Sequence, residues 1–269
     1  EAGGSPPSHS IISDMFPQKS RATALAVYSL GVPLGLVVGL YLGGWINEQY
    51  GWRAAFFALG LPGVILSLLV LFTLREPQRG AADGGVIGTA VPLMDVVRFM
   101  WSQRSLRHAI IGATLTTTVG YAGVQWWPPF LIRSHGLSVV DVGLFLALVF
   151  GGASALGTFL GGFLADRLSR RNPRWGSWVV TFAILLAFPF GVTIYLVDDS
   201  KLVFALIFIP ALVGGLYLAP TFAMVQNLVG IRMRAVAAAI LLFVINLIGM
   251  GLGPTLTGLI SDVLAPKVP

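Results

Sequence analysis

From residue 142 to residue 165 the chain carries no charge; then Asp166, Arg167, Arg170, Arg171 and Arg174 arrive within nine positions before apolar text resumes. A soluble helix would spread its charges along one face. Charges collected at one end mark the place where a helix leaves a bilayer and turns back. At ~1.5 Å per residue, such a run is long enough to cross a ~30 Å hydrocarbon layer. Comparable runs lie at 22–46, 54–74, 108–132, 175–197, 202–229 and 235–259, and residues 1–16 read as the second half of one more. The pattern predicts an all-α polytopic membrane protein with seven complete spans and a partial one.

Composition agrees. The chain is 56% hydrophobic and 10% charged, too little charge to cover a water-facing surface. A net charge of +6 could point to nucleic acid. The basic residues sit in short loops between spans, however, so the lipid bilayer is the expected partner and nucleic acid is not. There is no cysteine, hence no disulfide or thiolate metal site, and His9, His108 and His135 are scattered. With no paired carboxylates within a span and no phosphate-binding glycine loop after a strand, neither an enzyme nor a bound metal or cofactor is expected.

Strict alternation puts the loops at 17–21, 75–107, 167–174 and 232–234 on one side. Those loops hold thirteen of the basic residues; Arg53, Arg133, Lys201 and Lys267 fall on the other side. The basic side is therefore expected to be cytoplasmic, in a multi-pass protein of the cell's inner (plasma) membrane. Residues 75–107 form the only long hydrophilic connection. They divide the chain into 1–74, a linker at 75–107 and 108–269. Within the linker, residues 91–101 read as an interfacial helix with Leu93, Val97 and Met100 toward lipid. Ser20 is placed to cap the helix that follows it. Gly31, Gly35, Gly39 and Gly43 recur every four residues and predict a smooth seam for a neighbouring helix.

A parallel repeat is visible. PSHSIISDMFPQKSRATAL at 7–25 lies over PTFAMVQNLVGIRMRAVAA at 220–238, with Pro7 over Pro220, Ser8 over Thr221, Asp14 over Asn227 and Arg21 over Arg234. Both copies run from an apolar helix through a short loop into an alanine-rich helix, at matching places in the topology.

With these pieces assembled, the chain resembles the major facilitator superfamily. GGFLADRLSRR at 161–171 resembles that superfamily's loop motif, and the connection at 75–107 resembles the link between its two six-helix halves. GWRAAF at 51–56 and REP at 75–77 resemble the flanks of its sixth span. The opening EAGG, IISDMFP at 11–17 and WWPPFLIRSHGLS at 126–138 are most similar to the spinster-like subfamily, whereas GVPLGLVVG at 31–39 departs from the drug/proton antiporter pattern. The resemblance implies a partial 6+6 fold, a fragment running from midway through span four to span eleven. It implies a secondary active transporter of small organic solutes, amphiphilic or anionic, that is proton-coupled and works as a monomer. A non-transporting receptor on the same bundle, or a major facilitator of another subfamily (an organic anion symporter or a drug exporter), is the competing reading.

Site residues follow from that frame. Glu1 lies fifteen residues above Phe16, roughly 22 Å along the helix. That depth, and the glutamate spinster-like proteins carry there, make it the expected proton-coupling group. Thr114, Thr118, Tyr121 and Gln125 fall within ~40° of one line on their helix, and polar groups are costly against lipid. With Tyr217, Thr221 and Met224 of span ten and Asn246 of span eleven, they are the expected substrate-cavity residues. Asp166 is expected to pack against the start of span five near residues 20–22, with Arg21, Arg167, Arg170 and Arg171 completing a cytoplasmic gate.

Overall fold

The computed structural model describes residues 4–74, 77–78, 81–83 and 91–264. Glu1 lies outside them. The described residues are helical throughout, with no strand among them. α1 (Ser5–Met15) starts with Pro at its first turn, where a missing N–H costs nothing. α2 (Arg21–Ser29) and α3 (Gly31–Tyr50) form one rod, since the amides of Leu30 and Leu34 keep helical bonds across the junction. α3 ends at Gly51, which takes the positive φ of +81° needed to reverse into α4 (Trp52–Thr73). α5 (Leu93–Ser102) precedes α6 (Arg104–His135), a 32-residue helix closed by Gly136 in the left-handed conformation. α7 (Val139–Leu148) and α8 (Ser154–Ser169) are joined by a wide π turn, Val149–Ala153.

The remaining helices are α9 (Trp175–Thr193), α10 (Ser200–Leu216), α11 (Leu218–Leu228), α12 (Arg234–Val244) and α13 (Gly251–Leu264). α10 and α11 break at Tyr217, and a second π turn, Ile245–Met250, joins α12 to α13. Six of these rods are long and apolar enough to cross a membrane. α6 is long enough but is not among the six. Thr114, Thr116, Thr117, Thr118, Tyr121 and Gln125 interrupt its apolar text.

Large apolar side chains point outward, with Phe57 79% and Phe72 82% exposed on α4. Such faces are stable in hydrocarbon, where polar groups would be the expensive ones. Inside are two apolar clusters. One, at the basic end, joins Leu25 and Ala26 of α2, Leu106 of α6, Phe222 of α11 and Leu241 of α12. The other gathers Leu131, Val142, Val203 and Ile207.

Two local expectations are corrected and a third is met in part. Of the four-glycine seam, Gly31, Gly35 and Gly39 have nothing within 4 Å of where a Cβ would stand, while a Cβ on Gly43 would lie 3.3 Å from Leu59 Cδ1 of α4. Tighter approaches lie on α8 and α10, and at Gly249 and Gly253, which press on α6. A Cβ on Gly157 or Gly161 would lie 1.8 or 2.1 Å from the carbonyls of Leu212 or Leu216, and one on Gly162 would lie 2.4 Å from Ala22 O. Glycine periodicity marks a permissive face without saying which face is used. In α5, Leu93 and Val97 are exposed, but Met100 and Val96 are buried against protein. Ser20 does not cap α2, because its hydroxyl donates back to Pro17 O.

Candidate functional site

The first α2 amides are met by a residue from far along the chain. Gly162 lets α8 touch α2, and Asp166, one turn further on the same face, reaches the exposed N–H groups. Ala22 N–H donates to Asp166 Oδ1 at 3.1 Å and Thr23 N–H to Oδ2 at 2.6 Å. A carboxylate there satisfies two orphan donors and faces the positive end of the helix dipole. The opening glycines of GGFLADRLSRR and its aspartate thus act together: the small residues bring the backbones close, and the acid occupies the end that closeness exposes.

Beside this cap, two buried arginines exchange partners between the repeats. Arg21 donates to the Asn227 side-chain oxygen, to Ser13 O at 2.8 Å and to Phe16 O at 3.2 Å. Arg234 pairs with Asp14 Oδ1 at 3.1 Å, and donates to Ser13 O and Gln226 O at 3.3 Å each. Arg21 is 1% exposed and Arg234 3%. The repeat overlay matches Asp14 with Asn227 and Arg21 with Arg234. Each arginine therefore holds the residue that corresponds to its own copy's partner position in the other copy. Both converge on the Ser13 carbonyl, so α1, α2, α11 and α12 are knotted at one point.

Of the arginines expected around Asp166, only Arg21 is buried in this knot. Arg167, Arg170 and Arg171 are exposed, with their long side chains free to reach water or headgroups. Arg170 and Arg174 line a recess of about 710 Å3 together with Lys19, Asp166 and Asn227. The loops at 17–19 and 169–174 therefore open at the same end of the molecule. Nothing in the sequence pattern marks Ser13 or His9 as site residues, whereas the overlay, by matching Arg21 with Arg234, is signal enough for Arg234.

The eight expected cavity residues do not converge. Tyr217, Thr221 and Met224 line one recess of about 460 Å3, with Thr116, Ser177 and Thr181 on its other walls. Thr114 and Thr118 instead donate to carbonyls one turn back in their own helix. Tyr121 donates to Asn246 Oδ1 at 3.2 Å, inside the second π turn, and Gln125 is exposed. A stripe of equal polarity is thus split by its hydrogen bonds. A second α6 hydroxyl that joins helices is Thr117, 2.7 Å from the Tyr217 hydroxyl at the α10–α11 break. Two of the three irregular points in the rods, the Tyr217 break and the second π turn at Asn246, are thus tied to α6.

Residues 1–262 match the Major Facilitator Superfamily. The chain belongs to that superfamily. It is 33% identical over 265 residues to an MFS-type efflux pump of Mycolicibacterium smegmatis, covering 98% of this chain and 61% of that protein. It is 26% identical to protein spinster homolog 3 of Mus musculus, covering 96% of this chain and 54% of the relative. Its fold matches the crystal structure of a bacterial homolog of the human lysosomal transporter spinster in an inward-facing, unoccupied conformation. That match has a TM-score of 0.65 and 30% identity, over 98% of this chain and 61% of that one. Spinster proteins are thus among the relatives of this superfamily member, and the chain spans about three fifths of such proteins or less. The partial facilitator fold expected from the loop motif is the fold found, in an integral, multi-pass membrane protein of a transporter family.

Proposed function

We propose that this chain forms part of a proton-coupled secondary transporter that moves small organic solutes, amphiphilic or anionic, by alternating access. In this reading residues 1–74 and 108–269 belong to two bundles joined by 75–107, and the bundles rock about a central site. The observation that carries the proposal is the doubled arginine exchange between α1–α2 and α11–α12, together with the Asp166 cap on α2. It is a two-sided polar closure, related by the internal repeat, that rigid-body rocking would break and remake as a unit. The basic residues put that end in the cytoplasm. In this reading the Asp166 cap and the arginine exchange are contacts of a cytoplasm-closed state, whereas the solved structure that the fold matches is inward-facing.

Asp166 and Arg21 act as gate residues, Tyr217, Thr221, Met224 and the Tyr121–Asn246 pair as solute-facing ones, and Glu1 as the proton-coupling group. The mycobacterial relative bears the name of an efflux pump, which favours export as the direction. Proteoliposomes of the full-length parent, loaded with the pH dye pyranine and offered organic anions and amphiphiles one at a time, test the proposal. A carried solute should move protons with it. If no solute tried moves protons, while some cross the bilayer in a protein-dependent way, the proton-coupled form is wrong.

A further inference from the structure

The repeat overlay also lays His9 over Phe222, and in the folded chain these two rings touch. Their centroids are 4.1 Å apart, with the planes tilted by 59°. Two residues that correspond in the two repeats and also meet each other must lie at the local axis relating them. The flanking exchanges, Asp14 with Arg234 and Arg21 with Asn227, obey the same relation. His9 is thus the ring at the centre of the seam between α1 and α11, and its counterpart is a phenyl group that can neither donate nor accept.

The surroundings of His9 are apolar and tight. It is 4% exposed, with Tyr28 of α2 edge-on at 5.4 Å. Its Nδ1 is buried, and no described group hydrogen-bonds to it. The titratable or charged groups on the elements packed against it are few. They are Tyr28 and Arg21 on α2, Arg234 on α12, Asp14 on its own helix, and Asp83 on the short turn beside α1. Arg21, Arg234 and Asp14 already bond to each other's helices at the knot, more than a turn away along α1. α11 carries no titratable or charged residue, and its Phe222 packs against the ring.

We infer that His9 is a proton-sensing group of this seam, and that protonating it opens the cytoplasmic side. An imidazolium carries N–H on both nitrogens, so protonation would leave a donor buried against hydrocarbon with nothing to receive it. The ring meets water only when α11 moves off α1. There it takes a proton from cytoplasmic water, and it must return that proton to water before the seam recloses. A proton that binds one state and not the other shifts the population toward the binding state. Acid on the cytoplasmic side therefore holds the seam open. Histidine is the side chain that does this within the physiological range.

The inference rests on the alternating-access reading, and the test separates the two. This chain has no cysteine, so in the full-length protein, with any cysteine outside this chain replaced, Gln18→Cys and Arg174→Cys, at exposed positions lining the larger recess, supply the thiols for spin labels. Label distances are measured in nanodiscs from pH 8 to pH 5.5. A growing long-distance population in acid is expected, and it should vanish in His9→Phe and in His9→Gln. Both variants should match the parent distance at pH 8, which shows that they are folded. Retention of the acid shift by both variants overturns the role of His9. Loss of the shift in Asp14→Asn with retention in His9→Phe places the proton on the carboxylate and also overturns it. A single distance at every pH and with every solute in the parent protein removes the rocking bundles, and this inference with them.

Discussion

Asp166 caps the first turn of a helix from far earlier in the chain, accepting from Ala22 N–H, 144 positions before it, at 3.1 Å and from Thr23 N–H at 2.6 Å. The local candidate, Ser20, turns its hydroxyl away. A cap made in trans can be removed by motion, whereas one made by the preceding residue cannot. That difference is the reason for proposing Asp166 as a gate residue.

Asp166→Asn keeps the shape and removes the charge, leaving one side-chain oxygen to accept. Losing a charged cap should cost about 1 kcal/mol, equivalent to a roughly fivefold shift from closed to open. The rate at which a membrane-impermeant maleimide labels Ser20→Cys in the full-length protein should rise by that factor. An unchanged rate would mean that the cap contributes nothing to closure.

Glycine substitutions should discriminate between the predicted seam and the observed one. Gly162→Ala places a methyl 2.4 Å from both Ala22 O and Ala26 Cβ, and overpacking of this kind costs about 1–3 kcal/mol. Gly35→Ala meets nothing within 4 Å and exchanges a poor helix former for a good one, a gain of up to about 1 kcal/mol. Thermal melts followed by size-exclusion fluorescence should move in opposite directions for the two variants.

Asp14→Ala leaves Arg234 buried without its carboxylate, and breaking a buried pair from one side typically costs about 3–5 kcal/mol. Because the repeats exchange partners, Asp14→Asn combined with Asn227→Asp transfers the carboxylate to the Arg21 side. The combined variant should recover more than half of the melting temperature lost by Asp14→Asn alone. Additive losses would show that the exchange is a coincidence of packing.

Thr117→Val and Thr114→Val test the split of the polar stripe. Removing the Thr117 hydroxyl orphans Tyr217 O–H, a buried group, at about 1–3 kcal/mol. Thr114 bonds only to its own helix, so its replacement by an isosteric valine should change stability little. Equal melting shifts would argue that neither hydroxyl joins helices.

What could be read in advance was whatever a bilayer imposes on a chain one helix at a time. The apolar runs at 142–165 and 175–197 had to be helices, because lipid offers the backbone no partner. The split of thirteen basic residues against four gave an expected order of the loops. The repeat was legible too, because similar helices keep similar text, and it already aligned Arg21 with Arg234. It could not show that each arginine would reach across to the other copy, since an overlay relates positions and is blind to distance. The same gap separates Gly31, Gly35 and Gly39, open to their surroundings, from Gly162, pressed on Ala22. It separates Thr114, bonded to its own turn, from Thr117, bonded to Tyr217. Residues on one rod share periodicity whichever neighbour they meet. Only the packing of rods against each other decides which small residue is a contact, which hydroxyl is a bridge, and that His9 would lie against its own counterpart.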